Sequence, residues 1–385
     1  MEIKQVYDFV NIATQEALGV GEIVNEDLSN IVDIGEQIFN ANAMDKYVKA
    51  LVNRIGKVIF VNRVYQGSAP SVMMDGWEYG SVLQKVSTGL PEARMNETWE
   101  LTDGQSYDPH IFHAPKGVIS KFYNKYVTFE VDMSFTEEQL KMSFTSATEM
   151  NGFISMLYTS VDNSMTVKID ELIRRTINNM IGETTYIELG TGNYNVKTGT
   201  KAINLLRLYN EENGTNLTAG KALKDADFIR FACFYIKLTH DRMRTMSTIY
   251  NVGGQPRFTP TDLCNIVLLS DFSSAADVYL QSSTFHNEFT ALPTAEKVAY
   301  WQGSGEKFKF EDVSAIDITT ASGHNVNLTG IIGVMYDRWA LGVSNMQRKV
   351  TSQYTPNAEF FTNFYKYKAG YFNDLNENFV VFFVA

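Results

Sequence analysis

Asp108, His110 and His113 stand close together in the chain, and imidazole nitrogens beside a carboxylate can hold a metal ion. No third and fourth ligand follows at a fixed spacing, so surface loop residues are the plainer reading. His240-Asp241-Arg242 matches a phosphotransfer catalytic triplet only as letters, because no glycine-rich loop, strand lysine or DFG accompanies it. Cys233 lies beside Phe234 in an apolar helical stretch, where a small buried hydrophobe is expected rather than a nucleophile. Gly190-Thr191-Gly192 sits in a polar loop. With no GxxxxGK[ST] and no GxGxxG in the chain, it reads as turn chemistry rather than a phosphate cradle. No GxSxG elbow occurs. The basic positions Lys141, Arg174-Arg175 and Arg348-Lys349 read as a solvated face or as ion pairs between subunits. The expectation is a chain with no catalytic, cofactor-binding or metal-ligating residues, and not an enzyme.

Composition narrows the classes further. The 385 residues can fill two or three subdomains, and 25 Phe with 20 Tyr favour a densely packed chain over a disordered one. A net charge of −11 argues against nucleic-acid binding through the overall field. Cys233 and Cys264 form no spacing motif, which fits a reducing compartment. The first residues show no basic segment followed by an apolar one, so no secretion signal is expected, and the sequons at Asn96, Asn213, Asn216 and Asn327 carry little meaning. No apolar run approaches the length of a membrane span.

The elements that would position these residues are organised around Ser146 to Gly182. Met150, Phe153, Ile154, Leu157, Tyr158, Val161, Met165, Ile169, Leu172, Ile173, Ile177, Met180 and Ile181 recur at helical spacing. Ser146 and Glu149 make a capping box, Gly182 a C-terminal stop, and Asp170–Arg174 with Glu171–Arg175 ion pairs on an outer face. Such a helix is roughly 50 Å long at 1.5 Å per residue.

Before it, residues 1–36 read as short helices and an extended arm. Ile38 to Ile55 is one helix stopped by Gly56, and β-branched Lys57 to Val64 is a strand. Tyr65 to Asn124 is rich in glycine and proline, with strand-like pieces at Ser81 to Val86 and Thr98 to Leu101. A stretch of this kind is unusual inside one compact domain. Its apolar residues, among them Trp77, Tyr79, Leu83, Trp99 and Phe112, are too scattered for a core, so it is expected to be mobile in a free subunit and ordered against a neighbour. Tyr126 to Phe135 alternates cleanly and pairs with Lys57 to Val64 as the return strand of a long hairpin. Thr136 and Gln139 cap a short helix to Phe144. Later elements are helices at Lys201 to Asn210, Asp225 to Tyr250 and Ser273 to Ser283. Strands follow at Leu263 to Leu269, Val313 to Thr319, Gly330 to Tyr336, Trp339 to Val343, Met346 to Tyr354, Phe360 to Tyr371 and the apolar NFVVFFVA.

In this order the elements resemble the major capsid proteins of tailed bacteriophages with the Hong Kong 97 type fold. DKYVKALVNRIGKVIF (Asp45 to Phe60), FTEEQLKMSFTSATEMNGFISMLYTSVDNSM (Phe135 to Met165), GIIGVMYDRWALGV (Gly330 to Val343) and FFTNFYKYKAGYFNDLNENFVVFFVA look closest to capsid proteins of small short-tailed phages of the Bacillus type. The resemblance implies an α+β chain: N-terminal arm 1–36, peripheral domain start 37–64, extended loop (E-loop) 65–124, peripheral strand and spine helix 125–182, axial α/β domain 183–335, and peripheral closing strands 336–385. No immunoglobulin-like domain is expected after the last strand.

The function it implies is a head protein that assembles with itself into hexamers and pentamers of an icosahedral shell. Scaffolding and portal proteins would be its partners, and packaged double-stranded DNA would be touched non-specifically at most. It would act in the virion after assembly in the host cytoplasm, with no membrane contact and no cofactor. The alternatives are an encapsulin-like compartment shell, or an α/β enzyme or binding protein whose site is not legible.

Overall fold

The computed structural model describes residues 3–19, 24–61, 69–74, 83–89, 103–104, 117–190, 192, 197–281, 295–303 and 308–385. The chain opens with helices α1 (Ile3–Leu18), α2 (Ile31–Asn40) and α3 (Met44–Val61), then strands β1 (Met73–Met74), β2 (Leu83–Ser87), β3 (Ile119–Tyr123) and β4 (Tyr126–Thr136). Helices α4 (Glu137–Ser143) and α5 (Ala147–Leu189) follow, then β5 (Ala202–Asn204), α6 (Leu205–Asn213), α7 (Ala219–Ala222) and α8 (Ala226–Met243). The remainder is β6 (Cys264–Leu269), α9 (Ser270–Gln281), β7 (Glu296–Val298), α10 (Phe310–Val313), β8 (Ile316–Thr319), β9 (Asn325–Leu328), β10 (Ile331–Asp337), β11 (Leu341–Thr355), β12 (Phe360–Asn373) and β13 (Phe379–Phe383). The residues divide into two compact units. Unit 1 is Met1–Tyr79, Lys125–Arg174 and Val343–Tyr371; unit 2 is Gly80–Asn124, Arg175–Gly342 and Phe372–Ala385.

In unit 1, Val6, Phe9, Val10 and Ala13 of α1 are buried, as are Tyr47, Val48, Leu51 and Ile55 of α3, and the two helices pack together. Residues 3–18 are thus one docked helix, so the extended part of the expected arm is not among them. The single helix expected over Ile38 to Ile55 is two, separated at Ala41 to Ala43, where Asn42 takes a φ of +51°. Gly56 is not a stop. The helix runs on to Val61, so the strand expected over Lys57 to Val64 is helical as far as it is described. β-branched propensity is a weak guide there, since the same residues continue a helix already begun. The four-stranded sheet has the order β1-β11-β12-β4. Strand β4 alternates half-buried Val127, Phe129, Val131 and Met133 with exposed residues, but its partner is β12, with Phe360 opposite Thr136 through Gly370 opposite Tyr126. The hairpin pairing first expected is therefore corrected. Thr136 and Gln139 form the anticipated reciprocal cap of α4. Phe135 meets Phe153 of α5 edge-on at 5.1 Å.

Helix α5 has 43 residues, so it is ~65 Å long and seven residues longer at its C-terminal end than read from Gly182. Ser146 Oγ accepts from the Glu149 amide at its start, and Gly190, with a φ of +78°, ends it. Every apolar position read onto its inner face is buried except the half-buried Tyr158. The outer ion pairs differ. Arg174 and Asp170 pair at 3.4 Å, but their side chains are largely covered, and Glu171 pairs with Lys168.

Unit 2 is built on a five-stranded sheet of order β5-β13-β10-β6-β7. Strand β10 runs antiparallel to both β13 and β6, whereas β5 and β7 add parallel edges. Strand β13 is buried along its whole length, as its apolar run required, but it joins this sheet and not β11 and β12. That corrects the expectation that it closes the first body. Phe228, Ile229, Ala232 and Ile236 of α8 and Phe272 and Ala276 of α9 fill the core over the sheet. Several boundaries shift for local reasons. Asn204 caps α6 through the Arg207 amide, so the helix expected from Lys201 begins at Leu205. Asp225 caps α8, which ends at Met243, whose carbonyl accepts from the Thr259 amide at 2.8 Å, and α9 starts at Ser270, ahead of the expected serine cap.

Candidate functional site

Strands β2 and β3 form an antiparallel ribbon from Leu83 opposite Tyr123 to Ser87 opposite Ile119. Side chains alternate along each strand, so one face carries Leu83, Lys85, Lys121 and Tyr123, and the other carries Gln84, Val86, Ser120 and Phe122. The outer face is exposed, with Val86 at 58% and Phe122 at 63%. The inner face docks on the bend after β12. Tyr123 packs against Phe372 with ring centroids 5.2 Å apart. Lys85 Nζ lies 2.7 Å from Asp374 Oδ2 and 2.7 Å from Glu377 Oε1, and donates to the Trp339 carbonyl at 3.2 Å. Lys121 Nζ donates to the other Asp374 oxygen at 2.7 Å, and Arg257 Nε lies 3.4 Å from Glu377 Oε2.

The Asp374 side chain is only 2% exposed. Burial raises its carboxyl, but hydrogen bonds from Lys121 and Lys85 outweigh that and hold it below the usual aspartate value. Asp337 goes the other way. Burial pushes it up, although it accepts from Thr259 Oγ1 and the Trp339 amide, both at 2.9 Å. Burial also pushes the Tyr123 hydroxyl up, reinforced by the Asp374 and Glu377 carboxylates.

A second exposed apolar area lies on unit 2. The Ser247–Arg257 bridge brings Met246 level with Phe258, and both side chains are exposed, as is Ile249.

Among the described residues, those first weighed for chemistry are not brought together. Asp108, His110, His113 and Thr191 lie outside the described residues, as do Trp77, Tyr79, Trp99 and Phe112. His240 is buried in α8, with Nδ1 3.5 Å from its neighbour Asp241. Burial pushes both the Cys233 and Cys264 thiols up to about 12, which leaves them protonated at neutral pH. Lys141 pairs with Glu137 at 2.9 Å. Among the described residues no group of three or more His, Cys, Asp or Glu side chains could hold a metal ion, and no helix is long and apolar enough to cross a membrane. The lysine–carboxylate cluster was missed. Its signal was available: Lys85 and Lys121 each share the inward face of a short strand with apolar residues, and an inward lysine needs a carboxylate.

A family model described as Phi29-like phage major capsid protein matches residues 10–383. The chain belongs to this family. Among curated relatives, the major capsid protein of Bacillus phage GA-1 is 22% identical over 174 residues, covering 44% of this chain and 35% of that protein. A glycogen synthase of Petrotoga mobilis is 24% identical over 217 residues, covering 54% of this chain and 40% of the synthase. The chain thus spans well under half the length of either relative. A solved capsid structure of Staphylococcus phage Andhra aligns with a TM-score of 0.49 at 9% identity, covering 84% of this chain and 86% of that one. Membership in a capsid family does not favour the compartment-shell alternative.

Proposed function

We propose that this chain is the shell-building subunit of a double-stranded DNA phage head, with the Hong Kong 97 type fold. The family match over residues 10–383 carries the reading. Copies associate into hexamers and pentamers, guided by scaffolding and portal proteins in the host cytoplasm, and the product is the virion shell. The spine helix is α5, and the extended loop occupies residues 65–124. The peripheral body is built on the β1-β11-β12-β4 sheet and the axial body on the five-stranded sheet, with β13 counted in the latter. A shell subunit needs complementary patches on its different sides. The exposed Val86 and Phe122 of the ribbon and the Met246–Phe258 area are apolar surfaces of this kind. DNA contact is non-specific at most, given the net charge of −11.

The test is expression of the chain together with its scaffolding protein, followed by electron microscopy and sedimentation velocity. Closed shells or sheets of hexamers are expected. Discrete monomers or dimers under those conditions would reject the reading.

A further inference from the structure

Lys85 and Lys121 are register partners, so two ammonium groups stand directly opposite each other on the inner face of the β2–β3 ribbon. Like charges in that arrangement oppose strand pairing. A ribbon of two strands is itself marginal in water. What offsets the repulsion lies on another segment: the two Asp374 oxygens take one lysine each, and Glu377 takes Lys85 as well. The bend holding Asp374 is fixed largely by its own backbone. The Asp374 amide donates to the Ala340 carbonyl at 2.7 Å, the Glu377 amide to the Asp374 carbonyl at 3.2 Å, and the Asn376 amide to Asp374 Oδ1 at 3.1 Å. An asparagine at 374 would keep an acceptor for the Asn376 amide and lose the charge.

We propose that Asp374, seconded by Glu377, is an electrostatic latch that holds the β2–β3 ribbon on the rest of unit 2 and fixes which face it presents. With the latch closed, Lys85 and Lys121 point inward and Val86 and Phe122 outward. A slip of one residue would exchange the faces. With the Asp374 charge removed, the opposed lysines face each other with one remaining counter-ion, Glu377, which Arg257 already shares. Of the other ionisable groups around the latch, burial holds the Tyr123 hydroxyl protonated, and Asp337 at the end of β10, pushed up by burial, has its oxygens engaged by Thr259 Oγ1 and the Trp339 amide, so neither supplies the negative charge that Asp374 gives up. The ribbon then leaves its seat while the sheet behind it stays folded.

The experiment is amide hydrogen exchange followed by mass spectrometry on the full-length chain, kept below the concentration at which it self-associates. Peptides covering residues 83–87 and 119–123 report the ribbon, and peptides from β10 and β13 report the body. Asp374→Asn is expected to lower ribbon protection about tenfold or more and leave β10 and β13 unchanged. Adding Lys121→Gln removes the unbalanced charge and leaves Lys85 with Glu377. The double variant is expected to regain most of the protection. A seat held by shape alone would not show that rescue. Unchanged ribbon protection in Asp374→Asn overturns the proposal, as does an equal loss in the double variant. Loss of protection in β10 and β13 together with the ribbon also overturns it, because Asp374 would then be part of the core and no latch.

Discussion

At Gly182, α5 passes close against the β8–β9 hairpin. A Cβ there would stand 2.8 Å from Thr320 Cγ2 and 3.1 Å from Ile318 Cδ1. The contact is fixed on both sides. Asn179 Oδ1 accepts from the Ala321 amide at 2.7 Å, Glu183 Oε1 from the Ser322 amide at 2.9 Å, and Tyr186 stacks on His324 at 3.8 Å. Gly182→Leu should therefore destabilise. Overpacking costs about 1–3 kcal/mol and the gain in helix propensity returns at most ~1 kcal/mol. A urea midpoint equal to that of the parent would mean that the hairpin can move aside. The same geometry explains a misreading. Gly182 and Gly56 look like helix stops in the sequence, yet neither takes a left-handed φ, and a Cβ at Gly56 would run into Val350. Each is a small residue at a close approach inside a helix. Nothing local separates that use from a cap, because the neighbour lies far off in the chain, at Val350 or at Ile318 and Thr320. The true cap is Gly190, which in the sequence looks like part of the Gly190-Thr191-Gly192 turn.

At the scale of elements, what was legible is what depends on periodicity. The inner face of α5 was readable residue by residue, and Leu157 is buried as its position demanded. Leu157→Asp should leave no soluble folded chain, since an unpaired buried carboxylate costs several kcal/mol against a typical stability of about 5–15 kcal/mol. A variant that melts like the parent, followed by circular dichroism, would refute the face. Strand partners were not legible, because alternation says which face of β4 is buried but not whether β12 or residues 57–64 lie beside it. The excursion shows the practical consequence. Ala69 and Val72 are fully buried, and β1 pairs in parallel with β11, Met73 opposite Val343. Removing everything from Gly67 to Lys116 would therefore cut into the core of unit 1. Replacing only residues 90–116 with a short Gly/Ser linker spares β1, the ribbon and the Asp374 cluster. Closure entropy changes slowly with loop length, so the melting transition should stay within a few degrees of the parent. If these residues act as the proposed extended loop, sedimentation velocity should show that shells no longer form. Closed shells from this variant would remove residues 90–116 from the contacts.

For the whole molecule, the sequence yielded the family through the order of its elements, and the comparison over residues 10–383 agrees with it. The expectation that the last strand joins β11 and β12 did not survive, because β13 is apolar on both faces and such a strand fits the middle of any sheet equally well. Here it lies between β5 and β10. The quantity that belongs to the whole chain is its charge. Each copy carries −11, so copies approaching one another repel before any apolar surface meets. The reach of that repulsion is set by salt, with a Debye length of about 30 Å at 0.01 M and about 8 Å at 0.15 M. Apolar contact through residues such as Phe122, Met246 and Phe258 is nearly indifferent to salt over this range. Self-association should therefore rise with ionic strength. Static light scattering on the purified chain should give a positive second virial coefficient at 0.01 M salt that falls towards zero by 0.15 M, with assembly faster at the higher salt. The reverse trend, association weakening as salt is added, would mean that complementary charged patches outweigh the net charge and that ion pairs rather than apolar surfaces hold copies together.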